Sequence, residues 1–147
     1  MWSPADLHVV KGLDVMRRRP EMYMPEGVSA PHIAARLVSS AQELGATHVR
    51  VDTHASWSIV SADIDWLLQP PDLNVPIGEL FQRLVVLKGG GPNAARAEAW
   101  VGAYCRAAVA VTPKETIQVV GTETLPVGIQ HCLVPLGCVR SVAFRLT

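Results

Sequence analysis

Three cysteines and five histidines are the side chains in this sequence best suited to hold a metal or act as nucleophiles. Cys105, Cys132 and Cys138 read either as a metal or reactive-thiol set, or as small, reduced core residues. Their number is odd and their spacing matches no zinc or redox pattern. His131 beside Cys132 invites a metal, but no second pair at ligand spacing supports it. His32, His48, His54 and His131 are dispersed and make no helical metal pair, so no metal and no cofactor is expected. Ser40, His32 and Asp52 could be drawn as a nucleophilic triad, yet nothing in their spacing supports one, and a nucleophile elbow is absent. Gly89-Gly90-Gly91 is a weak phosphate-cradle signal, since such a run is more often a flexible loop. Arg17, Arg18 and Arg19 form a basic cluster without interleaved aromatics. Cations favour the negative end of a helix dipole, which accounts for them without a nucleic acid.

The elements that would position these residues follow from periodicity. Residues 9–18 read as a short helix with Val9, Leu13 and Met16 on one face, stopped by Pro20 and followed by an extended apolar segment. Pro25-Glu26-Gly27 is a turn. Residues 31–44 read as a second helix, with Ser29 as cap, Pro31 in the first turn and Gly45 at the end. Its stripe is Ile33, Leu37, Ala41 and Leu44, with Arg36, Ser40 and Glu43 on a neighbouring face. Residues 47–53 alternate as a strand, and a turn at Ala55-Ser56 joins them to a strand at 57–62 as an antiparallel hairpin. Residues 76–87 and 94–106 are expected helices. Strands are expected at 107–112, 116–121 and 139–146, and near 129–134. The pattern predicts an α/β (α+β) two-layer sandwich, with a mixed, mostly antiparallel sheet covered on one face by helices.

A chain of 147 residues is expected to form one domain, residues 9–147, behind an arm at residues 1–8. Apolar residues make up 49% and charged residues 18%, enough for a core and against global disorder. Thirteen basic and thirteen acidic residues cancel. That balance gives no general pull towards DNA or anionic membranes. No apolar run reaches a membrane span, and no basic region leads into an apolar leader core. A cytoplasmic protein without a membrane partner is therefore expected.

The run Lys11-Gly12-Leu13-Asp14-Val15-Met16-Arg17-Arg18-Arg19-Pro20-Glu21-Met22-Tyr23 resembles the opening of the gyrase B-type ATPase domain. There, a Lys-Gly-Leu-(Asp/Glu)-x-(Val/Met)-Arg-x-Arg-Pro-x-Met-Tyr run leads into the nucleotide-binding helix. His32 stands where that family has a histidine in this helix. Thr53-His54-Ala55 looks like the family's strand end before a turn. Val86-Leu87-Lys88-Gly89-Gly90-Gly91 resembles its Val-Leu-His-Ala-Gly-Gly segment before the ATP lid. The resemblance implies the gyrase, MutL and histidine-kinase superfamily and a Bergerat-type fold.

The same resemblance implies a decayed nucleotide site. Counting from His32, Arg36 stands at the place of the general-base glutamate, and a guanidinium cannot accept a proton from water. Ser40 stands at the place of the Mg²⁺-binding asparagine. Asp63 keeps the adenine-binding carboxylate of the family's Asp-x-Gly-x-Gly, while Asp65 and Leu67 replace its glycines. Trp66 is a candidate to fill the pocket. In the lid, Arg96 and Glu98 occupy the last two glycine places, so phosphate contact falls to Gly90 and Gly91. No catalytic residue is expected, and ATP binding is expected to be weak or absent.

By the same resemblance the N-terminal segment reaches a second subunit, which makes Trp2, Leu7, Val9 and Tyr23 the expected partner contacts. The expectation is a non-catalytic module acting through protein contact, either self-association or binding to a gyrase- or topoisomerase-like partner. The alternative is a nucleotide or small-molecule sensor with Asp63, Asp65, Arg36 and Ser40 lining the old pocket. In that region, Arg36 facing Asp63 reads equally as a structural ion pair.

Overall fold

The computed structural model describes residues 12–85 and 95–146. The first hairpin is β1 (Val49–His54) paired antiparallel with β2 (Trp57–Ala62), His54 opposite Trp57; β2 is buried at every position, and Val51 of β1 is exposed. Ala55 and Ser56 connect them with φ of 49° and 71°. Two consecutive positive φ values match the right-handed twist of a tight hairpin, at some steric cost to residues with a Cβ.

Three later strands complete one sheet. They are β3 (Ala107–Val111), β4 (Thr116–Val120) and β5 (Arg140–Arg145). The order is β1-β2-β5-β3-β4, and every neighbouring pair is antiparallel. The sheet is therefore not mixed. The last strand inserts between β2 and β3 and pairs antiparallel with both, so β2 and β3 run in the same direction on either side of it.

The sheet's two faces are covered differently. Val60, Ala62, Ala108, Ala110, Val142 and Phe144 join the larger core beneath the helices. Trp57, Ile59, Ala107, Val109, Val111 and Ala143 join a second cluster with Ile129, Leu133 and Val134. A strand was expected near 129–134. The segment instead forms a 3-10 turn, Ile129–Cys132, entered through Gly128 at φ +90°. Its apolar residues cover the sheet without pairing with it.

The helices are α1 (Gly12–Arg18), α2 (Pro20–Tyr23), α3 (Ala30–Glu43), α4 (Ile77–Leu80) and α5 (Glu98–Tyr104). Pro20 ends α1 and at once begins α2, so the expected extended segment is a helical turn. Helix α3 follows its sequence signals. The Ser29 hydroxyl accepts from the His32 amide at 3.3 Å, and Ile33, Leu37 and Ala41 are buried. Helices α4 and α5 are shorter than their patterns predict. The chain leaves α4 at Phe81, which is buried, and Leu84 stays partly exposed. Helix α5 begins at Glu98, and just before it the amides of Arg96 and Ala97 are bonded to the Val85 carbonyl and the Ser40 hydroxyl. Arg17 reaches from α1 to the carbonyls of Gly102 and Ala103 near the end of α5, at 3.0 and 2.9 Å. Among the described residues no helix is long and apolar enough to cross a membrane.

Candidate functional site

Spacing of four along α3 puts His32, Arg36 and Ser40 on one side of the helix, with Ala35, Ser39 and Glu43 beside them. These residues, Glu26 and the start of α5 at Ala97 and Trp100 line a cavity of about 290 Å³. A neighbouring cavity of about 670 Å³ shares Arg36, Ala95 and Trp100 and adds Met22, Tyr23, Pro25 and Leu84. The shared residues make one cleft, with α3 on one side and the 22–26 segment on another.

Arg36 lines both cavities and is held by three neighbours. Its Nη2 donates to Glu26 at 3.0 Å, and its Nε points to the Met24 sulfur at 3.0 Å. Its guanidinium carbon lies 5.2 Å from the centre of the Trp100 ring, within cation–π reach. The Glu26 carboxyl is held below its ordinary range, first by its own backbone N–H and also by Arg36. Arg36 does not face Asp63, and the ion pair expected between them is replaced by the one with Glu26. Ser40 is buried, and its hydroxyl accepts the Ala97 amide at 3.0 Å. It therefore ties α3 to the first turn of α5.

The two aspartates lie elsewhere. Asp63 accepts from the Thr47 amide at 3.1 Å and the Thr47 hydroxyl at 2.5 Å. These bonds close the open end of the first hairpin, and the one from the Thr47 side chain leads in holding the Asp63 carboxyl below its ordinary range. Asp65 takes both Nε and Nη2 of Arg140, at 2.8 and 2.7 Å. That pair borders a separate cavity with Leu68, Ile77 and Lys114. Arg36, Ser40, Asp63 and Asp65 therefore do not line one pocket, contrary to the shared-pocket expectation.

Trp66 is wholly buried in the core beneath the helices, and its carbonyl accepts from Arg96 Nη2 at 2.9 Å. Arg96 also donates to the Gln69 carbonyl, and its Nε meets Glu98 at 2.8 Å. Arg96 and Glu98 are 1% and 0% exposed. Where the resemblance puts lid glycines, the chain thus carries a buried ion pair. Burial pushes the Glu98 carboxyl up, and Arg96 pulls against that. Gly90, Gly91, Trp2, Leu7 and Val9 lie outside the described residues. Tyr23 packs edge-on against Trp100, ring centres 6.2 Å apart, and its carbonyl accepts the indole N–H at 3.0 Å. It is thus part of the cleft wall.

The thiols separate in the same way. Cys105 is a core residue whose burial pushes its thiol up to about 12. A thiol held protonated is a poor nucleophile. Cys138 is also pushed up, mainly by burial. Cys132 is different. Its sulfur and ring nitrogens of His54 and His131 lie within 4.8 Å of one another. These histidines were read as dispersed. Their meeting depends on the 121–139 loop folding back over the end of β1, and no local spacing announces that.

No protein-family model, curated protein or solved structure matches this chain.

Proposed function

We propose that this chain is a non-hydrolysing module on a gyrase B-like nucleotide-binding scaffold, and that it acts through contact with another protein chain. Arg36 carries the reading. It stands one turn beyond His32, where a hydrolysing member would need a carboxylate, and it is held by Glu26, Met24 and Trp100. A guanidinium accepts no proton from water. The Arg96–Glu98 pair supports the same reading, because it fills the approach to α5 with side chains where phosphate needs free backbone amides.

The contact surface is assigned to the outer rim of the cleft. Met22 is 62% and Leu84 36% exposed, and both line the same cavity as Tyr23, Pro25 and Trp100. Such an apolar rim around aromatic side chains suits an apolar anchor from a protein partner. The partner is a second copy of the chain or a gyrase- or topoisomerase-like subunit.

Light scattering on the full chain, alone and mixed with a gyrase B-type subunit, tests this. One of the two samples is expected to give a complex that Met22→Asp weakens about tenfold or more, with an unchanged melting temperature. ATP turnover should stay at background. A monomer in both samples, or Mg²⁺-dependent turnover lost in Arg36→Ala, would overturn the proposal.

A further inference from the structure

We propose that His54, His131 and Cys132 form a binding site for one zinc-class divalent ion. His54 is the last residue of β1, while His131 and Cys132 belong to the 3-10 turn that covers the second face of the sheet. Their ligand atoms lie within 4.8 Å of one another. Zinc takes nitrogen at about 2.0–2.1 Å and sulfur at about 2.3 Å, so tetrahedral ligand atoms sit about 3.3–3.6 Å apart. Side-chain rotation closes the difference, because His131 is exposed and the other two are half-buried.

The surroundings already orient the rings. His131 Nδ1 is paired with the Gly128 carbonyl, and His54 Nε2 lies 3.4 Å from the Val127 carbonyl. A ring nitrogen that donates to such a carbonyl leaves the other nitrogen of that ring free to ligate. Metal-bound histidines are held in this way. Adjacent residues of one turn supply both carbonyls, and that turn relies on Gly128 at φ +90°. The two rings stand at 84° with centres 5.4 Å apart, as ligands converging on one point from different directions do. Buried Trp57 and Ile129 give the cluster a firm apolar base.

Two imidazoles and a thiolate are soft to borderline ligands. They select zinc-class ions over magnesium or calcium, which take oxygen. Three protein ligands leave a fourth position, and the exposure of His131 opens it to water. His54 and Val127 are 73 positions apart in the chain, so a bound ion pins the 121–139 loop to the end of β1.

The test is cobalt titration of the chelator-treated full chain, followed by zinc displacement. One Co²⁺ per chain is expected, with the intense visible absorption of a tetrahedral site and a thiolate-to-cobalt charge-transfer band, both erased by zinc. Cys132→Ser should abolish the charge-transfer band. His54→Ala should weaken binding by more than the roughly 10–100-fold that loss of an outer partner costs. Cys138→Ser should bind as the parent does. Zinc should raise the melting temperature of the parent and not of Cys132→Ser, with equal melting temperatures for the metal-free forms. Absence of the charge-transfer band, or binding unchanged in both Cys132→Ser and His54→Ala, overturns the site.

Discussion

Gly102→Ala is expected to destabilise the protein by about 3 kcal/mol or more, at or above the upper end of ordinary overpacking. A Cβ at this position would stand 1.5 Å from the Phe81 carbonyl oxygen and 2.7 Å from its carbon. The obstacle is backbone, which cannot rotate aside as a side chain can. Helix α5 and the end of α4 would have to separate, loosening Leu80, Phe81 and Val101, all fully buried. For a chain of this size the loss corresponds to a fall in melting temperature of about 6–12 °C. Gly78→Ala is the control. Nothing lies within 4 Å of a Cβ there, on the short helix α4. It should be neutral or gain about 0.5 kcal/mol through the unfolded state. Equal melting temperatures for the two variants would show that the Gly102 contact does not matter.

Arg96→Ala should cost about 3–5 kcal/mol, because it leaves the Glu98 carboxylate buried without its cation. The carbonyls of Trp66 and Gln69 lose a donor at the same time. Glu98 is already raised by burial and restrained by Arg96, so the variant should raise it further. A carboxyl raised in the folded state penalises folding at pH values above its unfolded value, 4.5. The penalty shrinks as the pH falls and folded Glu98 takes up a proton. The deficit of Arg96→Ala relative to the parent should therefore be largest near neutral pH and smaller towards pH 5. Replacing both together, as Arg96→Met with Glu98→Leu, should recover much of the loss, since no lone charge remains. Chemical denaturation across pH measures all three. A deficit independent of pH would show that Glu98 is not the group left behind.

Local signals sufficed where local rules govern. Ser29, Pro31 and the Ile33–Leu37–Ala41 stripe mark α3, and the alternation of 47–53 with the turn at Ala55-Ser56 marks the β1–β2 hairpin. Element lengths failed where tertiary partners decide them. Ser40 and Val85 hold the amides just before α5, and Phe81 turns into the core where the apolar pattern would continue α4. The all-antiparallel sheet was hidden because β5 travels from the end of the chain to its centre. An alternation of helices and strands looks the same whether or not that happens. The apolar residues of 129–134 have strand-like composition, but they cover a sheet face and pair with no strand.

The cleft was partly legible. Helical spacing alone puts Arg36 and Ser40 together, and both line it. Asp63 and Asp65 are grouped with them only by the family resemblance. Thr47 and Arg140 hold those carboxylates instead, on the other side of contacts that no spacing reveals. Glu26 and Met24 were missed as partners of Arg36. A lone glutamate ten positions before an arginine, across a turn and outside helical register, carries no signal.

Thermal unfolding of the full chain, with and without Mg²⁺ and a saturating non-hydrolysable ATP analogue, tests most directly the proposal that this cleft takes no triphosphate. A specific ligand at one hundred times its dissociation constant adds about 2.7 kcal/mol, or roughly 5–10 °C for a chain of this size. With Arg36 locked to Glu26 and Arg96 to Glu98, the two curves should coincide. A rise of that magnitude, dependent on Mg²⁺ and lost in Ser40→Ala, would contradict the account.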